Sequence, residues 1–227
     1  MTRLSAQIGR WTAWCETIAG YTWVAGYIAF LAIFTVRPWT NIEAFASELG
    51  SPYFNALTGL QVLAFLQALL MLVLTIAIYE YAPSSKKILA RLGIAFALAF
   101  AILSSMHYYI QWVGVRQSIL RNDLIGLGLF VQFNLDSPAS AINMLGWMFF
   151  YGLTTLVLAP IFGKSRLDGW IRWAFLINGI GCILSAVLLA LGQKWIFLFW
   201  TVLISVTWYA YPLIGILFHR LQAQASS

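Results

Sequence analysis

Long apolar runs separated by short polar connections set the pattern of this chain. Six stretches carry no charge or almost none over twenty residues or more: 17–36, 57–79, 92–115, 139–162, 173–192 and 196–218. About 20 residues at 1.5 Å each cover the ~30 Å hydrocarbon layer of a bilayer as helix. The runs are continuous and lack the alternation of a membrane β-strand. The pattern therefore predicts an all-α polytopic integral membrane protein, a bundle of six transmembrane helices forming one domain over 17–218.

The first run is longer than a secretory h-region and ends in Val36-Arg37-Pro38, so it reads as a retained span. Ahead of it, Leu4, Ile8, Trp11 and Cys15 recur at helical spacing between Arg3, Ser5, Gln7 and Arg10. That spacing predicts an amphipathic arm over 1–16, lying in the headgroup plane. The polar end, 219–227, predicts a disordered tail. With the first span opening at Thr17, no acidic side chain falls inside any of the six.

The connections are unequal. Gly192, Gln193, Lys194 and Trp195 make a minimal hairpin, so the fifth and sixth spans are antiparallel neighbours. The first and third connections are long. The first holds Pro38, Gly50 and Pro52 with Glu43 and Glu48, room for a short surface helix between two breaks. The third holds the apolar segment 124–133, which is too short to span and reads as interfacial or re-entrant.

Composition agrees with this reading: 62% of residues are hydrophobic, 9% are charged, and mean hydropathy is +0.84. Soluble domains carry far more charge and disordered chains far less apolar surface. The net charge of +6 sits in the connections, where it directs topology and does not mark a nucleic-acid partner. Nine of the basic residues fall in the amino-terminal arm, the second and fourth connections and the tail, against four in the other connections. That bias places both termini in the cytoplasm. Cys15 and Cys182 lie far apart with no CxxC, which excludes a disulfide framework or zinc site and leaves inert packing.

Candidate chemistry rests on polar residues within the spans, which are expensive there and mark sites by default. Ser104, His107, Tyr108 and Gln111 form one stripe on the third span, in the outer half of the bilayer. The fourth span opens with a cap and first-turn signal, Ser137-Pro138, with Asp136 ahead of it, and carries Ser140, Asn143, Trp147 and Tyr151 on one face. Asn143 then faces His107 and Gln111 at similar depth, with Gln61 joining from the second span. Arg116 stands at the rim with Asp136 or Asp123 as its counter-charge. Gln61 and Gln67 lie about 120° apart and are expected to face different ways.

Seven tryptophans, Trp11, Trp14, Trp39, Trp112, Trp170, Trp173 and Trp195, fall at span ends and read as an interfacial belt. No cofactor is expected. A bundle haem needs a second axial ligand, and His219, the other histidine, belongs to the opposite face of the bilayer.

The segments His107-Tyr-Tyr-Ile-Gln111, Val131-Gln-Phe-Asn-Leu-Asp-Ser-Pro138 and Asn143-Met-Leu-Gly-Trp147 resemble stretches of prokaryotic multi-pass membrane proteins. That resemblance implies a cytoplasmic-membrane location and no particular activity. The number of spans is also that of small substrate-binding subunits in some vitamin uptake systems, a likeness of count alone. The expected role is binding of a small or amphipathic molecule in an outward-facing intramembrane pocket, for uptake or sensing. The alternatives are a membrane enzyme using His107 as acid or base, and a structural subunit. The expected partners are the lipid bilayer, a small-molecule or lipid ligand and a membrane partner subunit.

Overall fold

Chains this apolar satisfy their backbone groups within each segment, and the result is helix. The computed structural model describes residues 1–33, 42–132, 134, 136–163 and 165–224, without the side chains at 197, 198 and 203. Among the described residues there is no strand, and six helices are long and apolar enough to cross a membrane.

The elements are α1 (Arg3–Ile33), α2 (Ile42–Ser47), α3 (Pro52–Tyr81), α4 (Lys87–Tyr109), α5 (Arg116–Leu120), α6 (Pro138–Met144), α7 (Tyr151–Leu158), α8 (Arg166–Ala190) and α9 (Ile196–Gln224). A π-helical turn, Ile110–Val115, fuses α4 and α5 into one rod, and a second, Leu145–Phe150, fuses α6 and α7. Each long rod packs on the next in sequence, and α9 closes on α1, so the six form a ring. The start of α1 and the end of α9 lie at one end, called the terminal end, where Arg10 donates to Nδ1 of His219 at 3.1 Å. The opposite end carries α2 and the 121–137 connection and is called the loop end.

Glycines set the closeness of the ring. A Cβ on Gly179 would stand 2.9 Å from the Gly152 carbonyl oxygen, so α7 and α8 meet backbone to backbone. Beside that contact Asn178 donates to Thr155 at 3.0 Å. The main core, with Met71, Leu74, Ile78, Phe100, Phe162, Phe175 and Phe218, fills the ring toward the terminal end. A smaller cluster at the loop end gathers Phe30, Phe45, Tyr53, Phe54, Val115, Ile119, Leu127 and Val131. There α2 lays Phe45 against Phe54, ring centroids 5.6 Å apart, which realises the short helix expected in the first connection. The outward faces are apolar, with Ile18, Ile28, Leu66, Ile76, Ile102, Leu184 and Val202 all exposed.

Two boundaries differ from the sequence reading. The arm 1–16 is not a separate element: α1 runs unbroken from Arg3, because a stripe of Ala6, Gly9, Thr12, Ala13 and Gly20 packs into the ring while Leu4, Ile8 and Trp11 point out. Glu16 lies in that packed stripe, 1% exposed, so an acidic side chain does sit inside a membrane-length helix. At the other end α9 continues to Gln224, where a disordered tail was expected from 219; Phe218 packs under Gly9 and holds its last turns. Residues 225–227, 34–41 and 133 fall outside the described set.

Candidate functional site

Five of the six rods and one connection converge on a cavity on the ring axis toward the loop end. Its walls are Trp23 of α1, Ala64 and Gln67 of α3, Tyr108 of α4, Gln132 of the third connection, Asn143, Met144 and Trp147 of the α6–α7 rod, and Trp200, Ile204 and Trp208 of α9. Helical periodicity brings them there: Trp200, Ile204 and Trp208 are four apart, as are Asn143 and Trp147. Trp147 meets Trp200 edge-on at 6.4 Å and Trp23 meets Trp208 at 6.3 Å, so the indoles wall the space in pairs. The cavity measures about 30 Å³, the size of one water or of a group of one or two heavy atoms.

Polar atoms face this apolar wall without partners. Asn143 Oδ1 and Trp147 Nε1 are buried and unbonded, and both side chains stand beside the Tyr108 hydroxyl. An unmet polar group in such surroundings costs about 1–3 kcal/mol. Sites that hold unmet donors and acceptors are therefore places where a ligand gains hydrogen bonds.

The third connection closes the cavity from above. Gln111 Nε2 donates to the Phe130 carbonyl at 2.6 Å and its Oε1 accepts from the Gln132 amide at 3.0 Å. Gln61 Nε2 donates to Gln132 Oε1 at 2.7 Å, and Gln61 Oε1 accepts from Trp112 Nε1 at 3.0 Å. Two carboxamides thus clamp residues 130–132 over the bundle. At about 0.6 kcal/mol for a hydrogen bond between membrane helices, the clamp contributes roughly 2 kcal/mol, small enough for thermal opening. Segment 124–132 makes one 3₁₀ turn, Leu127–Leu129, and tucks Leu127 and Val131 into the loop-end core without crossing.

The remaining sequence candidates separate from the cavity. His107 is buried at the contact between α4 and α6, where its Nδ1 donates to the Ala139 carbonyl at 3.0 Å; its Nε2 is left as an unmet acceptor. Ser104 is fully buried one turn away, its hydroxyl without a partner, against Gly146, whose missing side chain lets the rods touch. Arg116 is exposed and edges a crevice of about 60 Å³ with Phe45, Thr58, Gln61 and Gln111. The expected counter-charge is absent among the described residues: Asp136 pairs with Lys194 at 2.6 Å instead, because the α8–α9 hairpin lies beside the start of α6. Gln61 and Gln67 face different spaces, as their 120° separation predicts: Gln67 lines the axial cavity, while Gln61 edges the crevice beside Arg116 and bonds Gln132 of the cap; α3 is packed by both α1 and α4, so two of its faces are interior.

Sequence reasoning missed Gln67, Gln132, Trp23, Trp200 and Trp208. A signal for the indoles was present. Of the eleven tryptophans, the four outside the interfacial belt are Trp23, Trp147, Trp200 and Trp208, and those four line the cavity. The two π turns had no such signal. They place Gln111, Trp112 and Trp147, a distribution common for π turns at functional sites.

No family model, curated protein or solved structure matches the chain.

Proposed function

We propose that this chain is an integral membrane protein that binds a small amphipathic molecule in the axial cavity, for uptake or sensing, with both termini in the cytoplasm and the pocket opening outward beneath the third connection. A prokaryotic cytoplasmic membrane is the compartment that fits the charge bias and the resemblance. The observation that carries the reading is the pair of unmet polar atoms, Asn143 Oδ1 and Trp147 Nε1, inside an indole-walled cavity. The occupied state is larger than the present one. A drug-sized ligand needs about 300 Å³ or more, so entry releases the Gln61 and Gln111 clamp and lifts residues 130–132. The enzyme alternative gains nothing from the geometry, because His107 lies outside the cavity lining, bonded to a backbone carbonyl.

Native mass spectrometry of the detergent-purified chain tests the pocket. A small molecule should be retained by the parent protein and lost from Asn143→Leu, with helical content unchanged in both. Equal mass spectra with no retained species, from a protein that refills nothing when incubated with a lipid extract, would make the cavity a packing defect. Orientation has its own test. In a chain lacking Cys15 and Cys182, a cysteine at 193 should react with an impermeant maleimide from outside and one at 86 should not; the reverse result moves the pocket mouth to the cytoplasm.

A further inference from the structure

Below the cavity, toward the terminal end, lies a second polar group that the pocket does not use. Glu16 is 1% exposed, and its Oε1 has no hydrogen-bond partner. It sits seven residues before Trp23, two turns or about 10 Å down the same face of α1. Around it, α7 presents Tyr151 and α9 presents Tyr211, both hydroxyls within electrostatic reach of the carboxyl. The two hydroxyls bond to each other at 2.7 Å, and Tyr211 donates onward to Met71 Sδ of α3 at 3.5 Å. Thr207 of α9 stands beside Tyr151 with an unmet hydroxyl, and Cys182 of α8 completes the surroundings. No Lys, Arg or His faces the carboxyl among the described residues, and no ion pair includes it. The basic residue next along α1, Arg10, is engaged with His219 at the terminal end.

A carboxylate in such a place has neither a counter-cation nor enough donors, and the charged form is excluded by the cost of removing it from water. The tyrosine hydroxyls, each able to donate and accept, belong to side chains one helical turn from the indole wall, Tyr151 after Trp147 and Tyr211 after Trp208. Indole faces attract ammonium groups.

We propose that Glu16 is a proton-binding site of the bundle, reached from the cavity through the Tyr151–Tyr211 hydroxyl pair, and that an ammonium group entering the indole-walled cavity displaces its proton. The proton leaves as the cation enters, so charge is conserved in the site. By linkage, proton and cation each weaken the binding of the other by the same factor. The exchange clause rests on the pocket reading; the proton clause does not.

Dicyclohexylcarbodiimide tests both clauses on the full chain in detergent. One of its nitrogens takes the proton of a buried carboxylic acid while the carboxylate oxygen adds to its central carbon, leaving an adduct that peptide mass spectrometry locates. The adduct should form at Glu16 and vanish in Glu16→Gln. Its rate should fall about tenfold per pH unit once the acid ionises. Infrared difference spectra between the two proteins should contain the carbonyl band of a protonated acid. Absence of both adduct and band overturns the proposal. Methylammonium chloride should slow the adduct where equal sodium chloride does not. An adduct indifferent to methylammonium removes the exchange clause, while the pocket itself stands or falls on the retained mass. Tyr211→Phe should slow deuterium exchange into the acid band several-fold; an unchanged rate removes the hydroxyl route.

Discussion

Asp168 and Glu16 are each 1% exposed, yet they occupy opposite kinds of environment. Asp168 closes a capping box at the start of α8: its Oδ2 accepts from the Ser165 amide at 3.1 Å, and its own amide donates to Ser165 Oγ at 3.2 Å. Tyr81 of α3 donates to the same carboxylate at 3.2 Å. A helix N-terminus supplies partial positive charge as well, so this acid is held by its surroundings and binds α8 to α3. Glu16 lies mid-helix, where every backbone amide is already engaged, and the tyrosine hydroxyls within electrostatic reach of it are bonded to one another. Burial is equal; what differs is the supply of donors. The first arrangement is a structural joint; the second leaves a buried polar atom without a partner.

The contrast can be broken by substitution, and the largest effect should come from the joint. Asp168→Ala removes a cap, usually about 1 kcal/mol, and the hydrogen bonds that Tyr81 and the Ser165 amide donate to it, for a total loss of about 3 kcal/mol in detergent unfolding. A loss below about 1 kcal/mol would place Asp168 with Glu16. The clamp at the loop end belongs with the joint, because its groups are also fully engaged. Gln61→Leu with Gln111→Leu should lower stability by about 2 kcal/mol and speed maleimide reaction of a cysteine at 132. Glu16→Leu should move the other way, raising stability by about 1 kcal/mol, since a group without partners is exchanged for one that needs none. Destabilisation by that variant would show that the carboxyl is bonded after all. Lys194→Ala provides the floor of the series: the Lys194–Asp136 pair is exposed, and the melting temperature should stay within error.

How far the sequence reached can be argued from the same residues. Ser165-x-x-Asp168 is a local pattern that a reading of start signals can find, as Ser137-Pro138 was found; Ser137 does cap α6, accepting from the Ser140 amide at 3.1 Å. The buried stripe Ser104, His107, Tyr108 and Gln111 follows from a spacing within one helix. Its destinations did not follow. Gln111 and Gln61 turn out to fasten a connection, and His107 is spent on a backbone carbonyl, because each partner lies 19 to 71 residues away along the chain. Glu16 was hidden for a different reason. Hydropathy starts the first span at Thr17, since Arg3, Arg10 and Glu16 dilute the apolar run, while the helix itself begins at Arg3.

The sequence by itself determined that the chain is helical, that six segments have the length and polarity of membrane spans, and where several of them begin. Those properties depend on interactions within a few residues of one another, chiefly backbone hydrogen bonds inside each segment and the apolar character of each run. Only the tertiary structure decided that the six rods close into a ring, that four indoles from three of them wall one cavity, and that a carboxyl on α1 comes within electrostatic reach of hydroxyls from α7 and α9. The physical reason is that, outside a few polar stripes such as that of α4, these helices are hydrophobic all round, so their pattern leaves the inward face undefined. That face is chosen by glycines that permit contact and by bulky side chains that need room, and both selections are made between segments.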